Sequence, residues 1–154
     1  MYILAIRSFQ ASAYKFIVER YMNNHAIYLE RCLALAQLAA SEGENRVGSV
    51  VVLDGEIIGE GYEKSRTLND VTRHAEVVAI LDAITKKGNC RGATLYSNME
   101  PCLLCSYVIR HYQISTVVLS KYCGQLGGTN PQFNLLTTNE ITTWIKAPAV
   151  IIES

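Results

Sequence analysis

Two short motifs near the middle of the chain restrict how it can fold. The first is His74-Ala75-Glu76, and the second is Pro101-Cys102-Leu103-Leu104-Cys105. Apolar residues at helical spacing follow the first motif. The proline of the second suits the first position of a helix, because its missing N–H is one that a helix end leaves unbonded. The two cysteines, at positions i and i+3, then share one face of the first turn. The motifs predict a fold in which two helix N-termini meet.

His74, Cys102 and Cys105 form a ligand set typical of a catalytic zinc site. Zinc binds imidazole and thiolate tetrahedrally, and catalytic sites keep three protein ligands and an open position for water. The partial positive charge at a helix N-terminus favours the thiolate form of a cysteine. A structural zinc site or a redox-active cysteine pair is the alternative. A structural site usually needs a fourth protein ligand, and no other cysteine or histidine has a spacing that resembles a second half-site.

Glu76 is the candidate acid and base of this site. It lies two residues after His74, so the two side chains diverge along the helix and Glu76 is a poor fourth ligand. Its carboxylate can instead reach water on the metal, whose pKa falls from about 15.7 to about 7. We expect Glu76 to take a proton from this water and to pass it to a substrate nitrogen.

The motifs resemble those of the cytidine-deaminase-like superfamily, in the branch that carries Pro-Cys-x-x-Cys. The resemblance runs from about Ile27 to the end of the chain and includes Glu100 and residues 47–52, 54–61 and 94–96. It implies an α/β fold, namely a three-layer α/β/α sandwich with a mixed five-stranded sheet. It also implies Zn²⁺ as the cofactor. Members of the branch include guanine deaminases, fungal-type cytosine deaminases and tRNA adenosine deaminases.

The resemblance also implies the roles of individual residues. The metal ligands are His74, Cys102 and Cys105, and the catalytic groups are the Glu76 carboxylate and the backbone N–H of Cys102. Substrate contacts fall to Glu63, His74 and Ala75.

Glu63 departs from the pattern of the branch, because many relatives carry an asparagine there that binds the base. An ionised carboxylate accepts hydrogen bonds but donates none, so Glu63 is expected to prefer an amino or ring N–H partner. The alternative is a solvated loop residue. Further along, Tyr107 is predicted to pack in the core and Arg110 to be a solvated residue at a helix end.

Length and composition limit the number of domains and the kinds of partner that this chain can have. The chain has 154 residues, which fits one domain, and 14 basic against 14 acidic residues give a net charge of zero. This balance argues weakly against a large nucleic-acid footprint. The apolar content of 49% and the resemblance predict a homodimer. Five cysteines, two of them committed to a metal, do not form a disulfide framework, which predicts a cytoplasmic protein with no membrane partner.

The pattern along the chain predicts the order of the elements. Residues 1–24 are interpreted as an N-terminal extension, either an extra helix or a stretch upstream of the native start at Met22, and residues 25–154 as the deaminase domain. Helical periodicity begins at Ile27, and Asp54-Gly55 predicts a tight turn between two strands. The later strand–helix–strand order predicts a parallel pair. Residues 122–139 are predicted to be a long loop, either a lid or a surface excursion.

Three functions follow from these expectations. The leading one is hydrolytic deamination of a small molecule, a free nucleobase or nucleoside of the guanine or cytosine type, by zinc-bound hydroxide, with Glu76 as the proton shuttle. The alternative is deamination of a wobble adenosine in tRNA, where RNA is the partner. The third is a non-catalytic zinc-binding module, against which the spare carboxylate of Glu76 argues.

Overall fold

The computed structural model describes residues 25–153, so the predicted N-terminal extension lies outside the described residues. The elements of the described part, in chain order, are α1 (His25–Ser41), β1 (Gly48–Leu53), β2 (Glu56–Tyr62), α2 (Ala75–Lys87), β3 (Thr94–Ser97), α3 (Leu103–His111), β4 (Thr116–Leu119) and β5 (Ala149–Ile152).

The five strands form one mixed sheet in the order β2-β1-β3-β4-β5. Strand β1 is antiparallel to both of its neighbours, whereas β3, β4 and β5 run parallel. The hairpin turns at Asp54-Gly55, where both residues have positive φ, as the tight-turn signal predicted. The mixed five-stranded sheet of the sequence-based prediction is confirmed.

Alternate residues of the strands pack into two hydrophobic cores, one on each face of the sheet. Val50 and Val52 of β1 pack with Leu29 and Leu35 of α1 on one face. Val51, between them, packs on the other face in the core that α2 and α3 also supply. This alternation follows from the two-residue period of a strand. The result is the predicted α/β/α sandwich.

Helix α2 lies unusually close to β2 because glycines face it. A Cβ built at Gly59 would lie 2.3 Å from the carbonyl oxygen of Ala79, and one at Gly61 would lie 2.4 Å from that of Ala75. The absence of side chains at Gly59 and Gly61 lets the helix backbone rest directly on the strand. This contact fixes where α2 begins, and so where His74 and Glu76 lie.

One end of the sheet carries both motifs, and we call it the site end. Gly48 at the start of β1 pairs with Tyr62 at the end of β2, and Ser49 pairs with Ser97 at the end of β3. The segment that follows β2 leads to the first motif and the segment that follows β3 leads to the second. The fold therefore brings the two predicted helix starts to the same edge.

Two predictions on α3 were wrong. Tyr107 is 55% exposed, whereas Arg110 is 1% exposed. The Arg110 guanidinium donates hydrogen bonds to the carbonyl oxygens of Leu135, Thr138 and Ile145. Burial is possible because the segment after β4 folds over this side of α3 and supplies these acceptors. None of the described helices is long and apolar enough to cross a membrane.

Candidate metal centre and active site

Helices α2 and α3 begin inside the two motifs. In each motif, a residue with extended backbone directly precedes the helix. His74 is the residue before α2, with φ −66° and ψ 147°, and its side chain makes no capping bond. Cys102 is the residue before α3, with φ −73° and ψ 179°. The prediction that Pro101 opens the helix was therefore two residues early. Pro101 and Cys102 stay extended because this segment pairs with the loop at Gly127.

The three predicted ligands converge. Nδ1 of His74 lies 3.4 Å from Sγ of Cys102 and 3.4 Å from Sγ of Cys105. The two sulfurs are 3.7 Å apart. In a tetrahedron, metal–ligand lengths of about 2.0 Å for nitrogen and about 2.3 Å for sulfur require about 3.5 Å between nitrogen and sulfur and about 3.8 Å between the two sulfurs. The donor set and its spacing therefore fit zinc.

Protons compete with a metal for these ligands. A hydrogen bond with Cys105, together with the imidazole of His74, lowers the pKa of Cys102 to about 4. The same bond and burial raise the pKa of Cys105. The hydrogen bond with Cys102 raises the pKa of His74 to about 9. Metal binding therefore has to displace protons from His74 and Cys105.

Glu76 lies beside the ligand cluster, as expected, and is 3% exposed. Its Oε1 accepts a 3.0 Å hydrogen bond from the hydroxyl of Ser97, and its Oε2 is 3.4 Å from Sγ of Cys105. Burial raises the pKa of Glu76 to about 7. A carboxyl with a pKa near neutrality can both take and give a proton, which is what a shuttle requires.

The backbone N–H of Cys102 is directed away from the loop that pairs with it. Its neighbours make the pairing bonds: Leu103 donates to the carbonyl of Leu126, and Gly128 donates to the carbonyl of Pro101. Within residues 25–153 the Cys102 N–H has no hydrogen-bond acceptor. It is therefore free to donate to a substrate or to a water at the centre.

Glu63 directly follows β2 and is buried, with 4% exposure, so the alternative of a solvated loop residue was wrong. Its Oε1 accepts a hydrogen bond from the Ser65 hydroxyl. No donor of the described part is bonded to its Oε2. Its negative charge also acts on His74.

Glu100 is a site residue whose role the sequence did not indicate. It is 4% exposed, and its carboxylate accepts hydrogen bonds from the backbone N–H groups of Cys123 and Thr129 and from the Thr129 hydroxyl. These bonds hold the loop after β4 against the second motif. Gly127 allows this, because a Cβ there would lie 2.2 Å from the Glu100 carboxylate. The predicted long loop thus supports the Cys102 segment.

Comparison with known proteins agrees with this geometry. Residues 22–121 match the family model described as the cytidine and deoxycytidylate deaminase zinc-binding region. A tRNA-specific adenosine deaminase from Aquifex aeolicus (strain VF5) is 34% identical over an alignment of 122 residues, and the match covers 76% of this chain and 81% of the relative.

Two solved structures are similar in fold and sequence. One, from a study of A-to-I editing by tRNA:A34 deaminases at the wobble position of transfer RNA, has a TM-score of 0.76 at 30% identity. It covers 83% of this chain and 98% of the other. A guanine deaminase from Bacillus subtilis has a TM-score of 0.60 at 35% identity and covers 64% of each chain.

These comparisons correct the leading functional expectation. The expected substrate was a free nucleobase or nucleoside, whereas relatives at 30–39% identity are tRNA-specific adenosine deaminases. The guanine deaminase matches over a smaller part of the chain. The expectation of a free base was wrong because the ligand motifs are common to the whole branch and carry no information about the substrate.

Proposed function

Because this chain belongs to the zinc-binding deaminase family of cytidine and deoxycytidylate deaminases, we propose that it is a tRNA-specific adenosine deaminase that converts a wobble adenosine to inosine. The observation that carries the proposal is the His74, Cys102 and Cys105 cluster with Glu76 beside it, in a chain that aligns with a tRNA:A34 deaminase over most of both lengths. All five cysteines are free, in agreement with the reducing cytoplasm in which tRNA is modified.

The reaction exchanges the amino group of adenine for oxygen and consumes one water. A zinc ion held by His74, Cys102 and Cys105 would supply the Lewis acid that activates this water for attack on C6. Glu76 takes a first proton from the water and delivers it to ring N1 as the oxygen adds to C6. It then moves the second proton from that oxygen to the amino group, so that the C–N bond breaks, ammonia departs and a C6 carbonyl remains. Burial keeps the Glu76 carboxyl close to neutrality and so able to do both.

Backbone groups hold the substrate in this proposal. The free N–H of Cys102 donates to the oxygen that enters at C6, where negative charge develops. Ala75, which is fully buried in the first turn of α2, contributes a helix N-terminal N–H to the same region, and the His74 ring forms part of the wall.

Glu63 supplies a hydrogen-bond acceptor for the substrate in this proposal, at the position where many family members carry asparagine. A target adenosine inside RNA has two donor groups, the amino group and the ribose 2′-hydroxyl. The amino group is consumed at the metal. We assign the 2′-hydroxyl to Oε2 of Glu63, to which no donor of the described part is bonded.

The test measures inosine in an anticodon stem-loop RNA after incubation with the zinc-loaded protein. Glu76→Gln should keep zinc and lose activity by a factor of at least about 100, since proton transfer contributes about 10² to 10⁴ in rate. The matched control is Glu42→Gln, which changes an exposed carboxylate that bonds Tyr62 away from the cluster. Ammonia release from guanine, with no inosine in the RNA, would contradict the proposed substrate.

A further inference from the structure

The segment between β2 and α2 joins two residues of the site. It begins directly after Glu63 and ends directly before His74, and we call its residues 64–73 the bridging loop. The two ends of the bridging loop are closed on each other, because the backbone N–H of Lys64 donates to the carbonyl of Arg73 at 3.0 Å. The conformation of this loop therefore bears on the positions of both Glu63 and His74.

Hydrophobic packing does little to hold the bridging loop. Its two apolar side chains are largely in solvent, with Leu68 56% exposed and Val71 64% exposed. Several of its hydrogen bonds are internal: the N–H of Leu68 donates to the carbonyl of Lys64, and the N–H of Asp70 donates to the carbonyl of Ser65. Because so little apolar surface is buried, polar contacts with the rest of the protein must determine where the loop lies.

Glu44 supplies the main contact of this kind. It lies in the connection between α1 and β1 and is 6% exposed. Its Oε1 accepts a 2.7 Å hydrogen bond from the backbone N–H of Thr67, and its Oε2 accepts a 3.2 Å bond from that of Arg66. The Arg66 side chain also donates to the side chain of Asn45. Among the hydrogen bonds of residues 25–153, these three join the bridging loop to a segment beyond its flanking residues.

The anchored part of the loop is next to the residue that contacts Glu63. Ser65 directly precedes Arg66, and its hydroxyl donates to Oε1 of Glu63. The backbone of Glu63 is fixed separately, by a 3.0 Å bond from its N–H to the carbonyl of Val47. The loop therefore acts on the side chain of Glu63 alone. Through residues 65–67, Glu44 influences which oxygen of Glu63 the protein occupies and which it leaves for a ligand.

We propose that Glu44 is a positioning residue for substrate selection, which holds the bridging loop so that Ser65 occupies one oxygen of Glu63 and the other is directed to the ribose 2′-hydroxyl of the target nucleotide. The inference rests on the proposed function for its substrate. It adds a role for a carboxylate that bonds the loop and not the metal ligands. An acceptor binds its ligand tightly when it is already held in the bound orientation, because otherwise binding must also order it.

The experiment measures binding without turnover. All variants are made in the zinc-loaded Glu76→Gln protein, and the dissociation constant is determined for two anticodon stem-loop RNAs that differ only in the 2′-hydroxyl of the target adenosine. In this reference protein the deoxy RNA should bind about 10-fold more weakly, as expected for a hydrogen bond to a carboxylate. Adding Glu44→Ala removes two bonds from the loop and should reduce this ratio to about 3 or less. The change should come from weaker binding of the RNA that carries the hydroxyl.

Two further variants supply the comparisons. Glu42→Ala removes a carboxylate from the same connection, one that bonds the Tyr62 hydroxyl instead of the loop, and should leave the ratio unchanged. Ser65→Ala removes the donor to Glu63 and leaves Glu44 intact, so it should reduce the ratio as far as Glu44→Ala does. Because the two residues act through one path, the double variant should show no further reduction. Bound zinc should be the same in every variant.

The outcomes separate this inference from the proposed function. If Glu44→Ala weakens the binding of both RNAs alike, its role is a general structural one and the inference is overturned, even if the wild-type protein makes inosine. Equal binding of the two RNAs by the reference protein would also overturn it, because Glu63 would then have no contact to orient. Absence of inosine with the wild-type protein concerns the reaction and does not alter this comparison of affinities.

A second variant covers the case in which Glu44→Ala fails to fold or to hold zinc. Glu44→Gln keeps one acceptor oxygen for the two N–H groups of the loop, so it should reduce the ratio by a smaller factor than Ser65→Ala. A ratio equal to that of the reference protein in both Glu44→Gln and Ser65→Ala would overturn the inference.

Discussion

The hydroxyl of Ser97, the last residue of β3, donates a 3.0 Å hydrogen bond to Oε1 of Glu76 in the first turn of α2. The bond joins the sheet to the helix directly under the ligand cluster. It fixes one oxygen of Glu76 and leaves the other beside Cys105. Ser97 thus orients the carboxylate that is expected to move protons.

Removing this bond should lower activity without loss of zinc. Ser97→Ala is expected to reduce kcat by about 3- to 10-fold, since one hydrogen bond contributes about 0.5–1.5 kcal/mol. Ser49→Ala is the matched control, because that hydroxyl is equally buried but bonds the carbonyl of Tyr96. Equal losses in both variants would indicate a general packing effect and contradict the positioning role of Ser97.

Metal binding should require both cysteines of the second motif and no other cysteine of the chain. We expect Cys102→Ser and Cys105→Ser to lose bound zinc, because a hydroxyl is a poor replacement for a thiolate ligand. Cys123→Ser should keep one zinc per chain, although Cys123 lies in the loop that Glu100 holds. Zinc content after gel filtration distinguishes these cases. Retention of a full equivalent by Cys102→Ser would exclude the assigned ligand set.

The assignment of Glu63 to the ribose predicts a coupling between protein and RNA. Replacing the target adenosine by its 2′-deoxy form should lower wild-type kcat/KM by about 10-fold or more, as expected for a hydrogen bond to a carboxylate. In Glu63→Ala the deoxy substitution should have no further effect. The measurement is a cycle of two proteins and two RNAs. Independent, multiplicative losses would show that Glu63 does not contact the 2′-hydroxyl.

Arg110 should contribute to stability through the segment that covers it. Its guanidinium bonds three carbonyls and lies 4.3 Å from the Trp144 ring. Lysine cannot make the same planar set of bonds. Arg110→Lys is expected to lower the free energy of unfolding by about 2–4 kcal/mol and to make residues 134–146 more sensitive to protease. Arg91→Lys, at an exposed position, serves as the control. Unchanged stability would show that the buried guanidinium is dispensable.

The ion pair between Arg31 of α1 and Glu60 of β2 should make stability depend on pH in the acid range. Hydrogen bonding to Arg31 lowers the pKa of Glu60. The stabilisation is therefore present above the unfolded pKa of about 4.3 and is lost as the pH falls through the lower folded value. Because both groups are partly exposed, the contribution should be at most about 1 kcal/mol. In Glu60→Gln, the free energy of unfolding measured by urea titration should change less with pH in the acid range than it does in wild type.

The sequence alone predicted which side chains converge, His74, Cys102, Cys105 and Glu76, and the succession of helices and strands along the chain. Ligand spacing is local, and the i and i+3 positions of Cys102 and Cys105 bring both sulfurs to one imidazole once a helix follows. Alternation along β1 and the Asp54-Gly55 turn are also local signals. The predicted homodimer stays a prediction.

The tertiary structure decided what surrounds that site. Ser97 bonds Glu76, Glu100 bonds Thr129 and Arg110 bonds Ile145 across long stretches of chain. No periodicity or spacing reports such partners, which is why Arg110 was predicted at the surface and the role of Glu100 was not indicated. Composition counts charges, but only folding determines which carboxylates find internal donors and which cations remain at the surface.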